Sequence, residues 1–184
     1  MFNTKSKTIC FIPARQGSTR LYNKNLKKIK NLSLTEITIK KAKKSRIFKD
    51  IILSSDSEKI LNIGRKYNLT CHKRSRKNST KFSKTDSALK ETIKKLSYDY
   101  DYIVILQVTS PLRKIETIKK FVNFCIKKKF DTCLTVSLFE ENIASYNKQF
   151  FNPLIKKRSR SQDRKKYIYE NGCIYFISRK YFKK

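Results

Sequence analysis

Short apolar, β-branched runs alternate with longer amphipathic stretches along this chain, and that alternation constrains the fold more than any other feature. Residues 8–13 (TICFIP), 50–55 (DIILSS), 102–107 (YIVILQ), 132–138 (TCLTVSL) and 173–178 (CIYFIS) predict strands. Residues 35–46, 57–67, 86–96 and 115–129 place apolar side chains at helical spacing among lysines. Thr35 is the expected N-cap of the first helix, Ser55 or Asp56 of the second, and Thr85 or Asp86 opens the third. Residues 14–30, 69–84 and 139–166 are polar and read as irregular. The order predicts an α/β protein with a mainly parallel, Rossmann-like sheet, as one domain over residues 1–184. In such a sheet ligands sit outside the carboxyl ends of the strands. Ala14–Asn25 and Gln107–Arg113 are therefore the expected site walls, with Asp56 beside them.

Charge is the second constraint. The 184 residues hold 45 Lys and Arg against 14 Asp and Glu, for a net charge of +31. The lysines are spread over the polar faces of the predicted helices, without the aromatic-interleaved stripe of single-strand binders. Lys, Ile and Asn also share A/T-rich codons, so composition alone accounts for much of the charge. Nucleic acid is disfavoured as the main partner, whereas small phosphate-bearing ligands are attracted. The apolar runs are too short for a membrane helix, and the expected compartment is the cytosol. The five cysteines (Cys10, Cys71, Cys125, Cys133 and Cys173) form no Cys-x-x-Cys pair, and His72 is the single histidine. They read as reduced core thiols, and neither a zinc site nor a Ser-His-Asp set is expected.

The sharpest local signal follows the first strand, in IPARQGSTRLYNKN. Arg15, Arg20 and Lys24 bring three cations close together, Gln16, Ser18, Thr19, Asn23 and Asn25 add neutral donors, and Gly17 frees the backbone to turn amides toward an anion. A triphosphate requires that mix. The stretch is neither a Walker loop nor Gly-x-Gly-x-x-Gly. On residue chemistry alone, a polar surface loop in a lysine-rich chain accounts for it equally well.

The same residues resemble a family. IPARQGS followed by Lys24 and Asn25 is similar to the signature of the acylneuraminate cytidylyltransferases, the CMP-sialic acid synthetases. LSSDSEKILNIGRKYN, Arg74, ILQVTSPLR and RSQDRKKYIYENGCIYFI resemble further segments of that family in the same order. The resemblance implies a three-layer nucleotide-diphospho-sugar transferase fold. It also implies transfer of CMP from CTP to sialic acid or a related nonulosonate, with loss of pyrophosphate. By resemblance, Arg15, Lys24 and Gln107 are the catalytic candidates. Arg15, Ser18, Lys24, Asn25, Arg74 and Thr85 hold the nucleotide, and Gln107, Asn171 and Gly172 face the sugar. Thr19 stands where the family has Lys, and Val108 where it has Pro.

The resemblance further implies a homodimer and Mg²⁺. The family's late acidic pair for that ion would lie beyond Lys184, so a chain truncated at its C-terminus is expected and no metal ligand is named. Two alternatives remain open: a catalytically silent remnant that binds nucleotide, and a basic nucleic-acid binder. Arg113 is also read as a brace for its loop, Asp56 as a helix cap and Asn171–Gly172 as a turn.

Overall fold

The computed structural model describes residues 7–17, 21–80, 82–97, 99–154 and 160–182. It divides into two compact units, Met1–Leu134 with Gly172–Lys184, and Thr135–Asn171. The elements run β1 (Thr8–Pro13), β2 (Lys28–Ile29), β3 (Leu32–Ser33), α1 (Leu34–Ser45), β4 (Asp50–Ser55), α2 (Glu58–Lys66), β5 (Thr70–Lys73), α3 (Thr85–Leu96), β6 (Tyr102–Leu106), α4 (Ile115–Lys127), β7 (Thr132–Phe139), β8 (Ala144–Tyr146), β9 (Phe151–Pro153), β10 (Tyr167–Ser178) and α5 (Arg179–Phe182).

The main sheet has the order β5-β4-β1-β6-β10-β7. β1 pairs in parallel with β4 and β6, and β4 with β5, so the α/β architecture is the expected mainly parallel one. Helices cover both faces, which is why β1 is apolar along its whole length. Ile9 and Phe11 point to one face and pack with Ala88 and Leu89 of α3. Cys10 and Ile12 point to the other, against Ile39 and Ala42 of α1, Ile60 of α2 and Ile118, Val122 and Cys125 of α4. Among the described residues no helix is long and apolar enough to cross a membrane. All five cysteines are free, with Cys10 and Cys125 buried.

The second unit carries the outer ends of β7 and β10 and the antiparallel β8–β9 hairpin. Ion pairs of Arg164 with Glu141 (3.3 Å) and Lys166 with Glu140 (3.4 Å) lie within it.

Several local expectations are corrected. Ser33, not Thr35, caps α1. Its hydroxyl accepts from the Glu36 amide at 3.2 Å, and the Glu36 carboxylate accepts from the Ser33 amide at 2.8 Å. This reciprocal pair outcompetes Thr35, whose hydroxyl instead donates to the Asn25 carbonyl at 2.8 Å. α2 starts after Ser57, so Asp56 is no helix cap: its Oδ1 accepts from the Gln16 amide at 2.7 Å. The stretch 69–84 contains β5, a polar edge strand. The stretch 14–30 contains a 3₁₀ turn over Lys24–Leu26 and the short strand β2, and 139–166 contains the β8–β9 hairpin. β10 begins well before residue 173 and runs antiparallel to β6.

Gly64 lies where α2 crosses β4 and β5. A Cβ there would stand 2.6 Å from Cys71 Sγ and 2.7 Å from Leu53 Cδ2. Helix propensity alone would make Gly64→Ala stabilising by about 1 kcal/mol. The clash with the fully buried Leu53 reverses the sign, and we expect a net loss of about 1–3 kcal/mol in urea unfolding.

Candidate functional site

Ala14, Asp56, Arg74 and Gln107 each directly follow the last residue of β1, β4, β5 and β6. From β1 the chain steps to β4 and β5 on one side, and β6 lies on the other. The crevice of a doubly wound sheet opens at this reversal of strand order. A pocket occupies it, lined by Arg15, Lys24, Asn25, Arg74, Thr85 and Gln107, with Pro13, Ser83, Val108 and Thr109 completing the wall.

The first wall is folded onto the sheet by its own polar groups. The Ala14 amide donates to the Ser54 carbonyl at 2.9 Å, and the Gln16 amide to Asp56. Asn25 is 5% exposed, and its Nδ2 donates to the Arg15 carbonyl at 2.7 Å, closing the loop on itself. Its side chain therefore shapes the wall that presents Arg15 and Lys24. Arg15 Nη1 donates to the Thr80 carbonyl at 3.3 Å, which ties this wall to the segment after β5.

Arg74 is 8% exposed, and its hydrogen bonds go to neutral oxygens. Nε donates to Ser54 Oγ at 2.9 Å and Nη2 to the Ser54 carbonyl at 3.1 Å. Burial draws its pKa down to about 10; Asp56 and Glu91 oppose that shift and Arg15 adds to it, so the guanidinium stays charged at neutral pH. Arg74 also lines a second cleft with Asp56, Lys73, Arg76, Ser79 and Thr80. Thr85 is the first residue of α3, whose positive helix end adds to the local field.

Gln107 sits on the far wall. Arg113, 6% exposed, holds that wall by donating to the Gln107 carbonyl at 3.1 Å and to the Cys173 carbonyl, as its reading as a brace anticipates. The other sugar-side candidates are not among the residues that line this pocket. Asn171 belongs to the second unit, where it accepts from Thr135 Oγ1 at 2.8 Å and donates to Ser137 Oγ at 3.0 Å. Gly172 adopts φ +64° and serves as a backbone turn within β10. The Ser18 position lies outside the described residues.

The pocket lining holds three cations and no carboxylate. Among the described residues no group of three or more Asp, Glu, His or Cys is placed to hold a metal ion. A divalent cation takes oxygen ligands, often carboxylates, so the lining does not fit a resident Mg²⁺, and no step below is routed through one.

Ser54, Asp56, Glu91 and Arg113 support the first pocket without lining it. Arg113 could be read from the sequence as a brace. Glu91 gives no sequence signal, since a charged residue in a lysine-rich helix reads as a solvated face.

A family model described as Cytidylyltransferase matches residues 9–183. The chain belongs to the cytidylyltransferase family. It is an enzyme of the nucleotidyltransferase class. It is 30% identical over 180 residues to a pseudaminic acid cytidylyltransferase of Campylobacter jejuni, covering 92% of this chain and 78% of that protein. It is 32% identical over 182 residues to an N-acylneuraminate cytidylyltransferase of Streptococcus agalactiae, covering 95% of this chain and 44% of that one. The solved structure of a CMP:2-keto-3-deoxy-manno-octonic acid synthetase complexed with CTP superposes with a TM-score of 0.74 at 15% identity, over 97% of this chain and 76% of the other. That likeness establishes the fold, a Rossmann-like one shared with nucleotidyltransferases.

Behind Arg74 lies His72, 3% exposed. Its Nδ1 lies 2.8 Å from Thr92 Oγ1, which donates to the Ala88 carbonyl at 2.7 Å, and 3.2 Å from Ser54 Oγ. Burial lowers the His72 pKa from 6.5, and nearby Lys95 and Arg74 add to that effect against Glu91. A folded pKa below the unfolded one means the unfolded chain binds the extra proton first. Stability should be full above pH 6.5 and fall as pH drops through the lowered folded value. Urea unfolding between pH 8 and pH 5 should show this slope, and His72→Asn should flatten it.

Proposed function

We propose that this cytidylyltransferase moves CMP from CTP to the anomeric hydroxyl of an acidic sugar, a nonulosonate such as sialic or pseudaminic acid, with release of pyrophosphate. The observation that carries the reading is the convergence of Arg15, Lys24 and Arg74 on one pocket whose lining has no carboxylate. Like charges held together at a sheet edge favour an anion between them, and a triphosphate supplies it. The relatives act on acidic sugars by name, which supports that substrate class.

In this reading the sugar oxygen bonds to the α-phosphorus as the bond from that phosphorus to the β-phosphate oxygen breaks, pyrophosphate leaves, and the hydroxyl proton passes to water. Phosphoryl-type transfer asks the protein chiefly to position reactants and stabilise charge. Arg15 and Lys24 do so for the leaving pyrophosphate. Arg74 and Thr85 lie against the nucleotide, while Ser18 and Asn25 belong to the phosphate loop. Gln107 orients the sugar oxygen and the α-phosphate from the opposite wall, and Asn171 and Gly172 stay assigned to the sugar side on resemblance alone. A cytosolic setting is proposed from the short apolar runs of the sequence, and Mg²⁺ is implied by the resemblance alone, with no ligand for it in this lining. A homodimer is part of the proposal, and exposed Val136, Leu138 and Ile168 of the second unit offer apolar surface for it.

Pyrophosphate release should require CTP and one member of a panel of nonulosonic acids, and should be assayed with and without Mg²⁺. Arg15→Ala should lower kcat/KM about 100-fold or more. CTP binding no tighter than ATP or GTP at moderate salt would defeat the reading, as would salt-steep RNA binding that survives Arg15→Ala.

A further inference from the structure

Glu91 lies in α3, does not line the pocket, and its side chain is only 12% exposed. One segment converges on its carboxylate. The Ser75 amide and the Ser75 hydroxyl each donate to it at 3.0 Å, and Asn78 Nδ2 donates at 2.6 Å. Lys95 stands at 3.2 Å and His72 Nε2 at 3.8 Å. Burial raises the carboxyl pKa, but the bonds from Asn78, Ser75 and Lys95 outweigh it and hold the value at about 2. The group is therefore an anion at every working pH.

The segment it grips is closed internally. Ser79 Oγ donates to the Ser75 carbonyl at 2.7 Å, Ser83 Oγ donates to the Lys77 carbonyl at 2.9 Å, and the Thr80 amide donates to Ser83 Oγ at 3.0 Å. Site elements lie along it and at its ends: Arg74 before Ser75, the Thr80 carbonyl that receives Arg15, and Ser83 and Thr85 in the pocket lining. Arg74 itself is fixed to β4 through Ser54 and by its amide on the Ser55 carbonyl at 2.9 Å. Beyond Arg74, the bonds to Glu91 fix this segment to α3.

We propose that Glu91 is a positioning residue for nucleotide binding: it anchors residues 75–80 to α3, and through the Thr80 carbonyl it sets the reach of Arg15 into the phosphate pocket. The proposal rests on the nucleotide reading above and goes beyond it, because Glu91 touches no substrate. Its loss should weaken CTP binding more than it slows chemistry. Glutamine cannot replace it, since three donors land on two carboxylate oxygens and an amide offers one acceptor oxygen.

The experiment is a calorimetric CTP titration and steady-state kinetics on the full chain, at a temperature where circular dichroism shows each variant folded. Glu91→Gln should weaken CTP binding and raise KM for CTP about tenfold, with kcat within about threefold of wild type. Asn78→Ala removes one of the three bonds from a part-exposed position, and should weaken CTP binding about threefold. If Glu91→Gln does not fold, Asn78→Ala decides alone. CTP affinity unchanged in the folded variants overturns the proposal, even if their melting temperatures fall. A wild-type protein that binds no CTP instead defeats the nucleotide reading on which the proposal stands.

Discussion

A charged guanidinium withdrawn from water at the carboxyl end of the sheet is the constraint around which the site is arranged. Burying a charge is costly unless its donors are satisfied, and Arg74 meets that condition with the hydroxyl and carbonyl of Ser54. Those partners are neutral, so they fix the guanidinium without cancelling it. The same Ser54 carbonyl receives the Ala14 amide, so the end of one strand holds both the buried cation and the start of the cationic loop. The nearby Arg15 adds to the lowering of the Arg74 pKa, and the pocket they line with Lys24 has no carboxylate in its wall. Such a site is preorganised for an anion before the anion arrives.

Much of this was legible because the buried strands of a parallel sheet must be apolar on both faces. Ile9 to Ile12 and Ile103 to Leu106 could only be central strands. Edge strand β5 reads TCHK, with two residues part-buried and one exposed, and its polarity concealed it inside an apparently irregular stretch. The antiparallel entry of β10 was equally hidden, since strand direction leaves no mark in residue order. At the site, the cations of the loop and Gln107 were visible from their place after apolar runs. Glu91 was not, because a helix-surface carboxylate among lysines looks the same whether it meets water or a neighbouring loop.

The scarcity of acids changes what each one does. Fourteen Asp and Glu stand against 45 Lys and Arg, yet several of the acids are committed to internal bonds. Glu36 closes the cap of α1, Asp56 holds the Gln16 amide, Asp131 receives the Ser178 hydroxyl at 2.7 Å, and Glu91 grips Ser75 and Asn78. The excess cations are left to face solvent, where they repel one another and project a positive field. That field steers any polyanion at low salt and fades over a Debye length, so it carries no selectivity of its own. Selectivity has to come from the few groups whose position is fixed.

Those groups are fixed in a particular way: side-chain donors reach main-chain acceptors. Arg74 bonds the carbonyl of Ser54, Asn25 that of Arg15, Thr35 that of Asn25, Arg15 that of Thr80, and Arg113 those of Gln107 and Cys173. A carbonyl is present whatever the side chain, so the acceptor half of each clamp makes no demand on sequence, while the donor half demands Arg, Asn or Thr. This accounts for a site that announces itself through scattered donors rather than a compact motif. The polarity is inverted at the Gln16–Asp56 and Ser75–Glu91 contacts, where a side-chain carboxylate receives a main-chain amide. There the acceptor is a chosen residue, and its substitution removes the clamp.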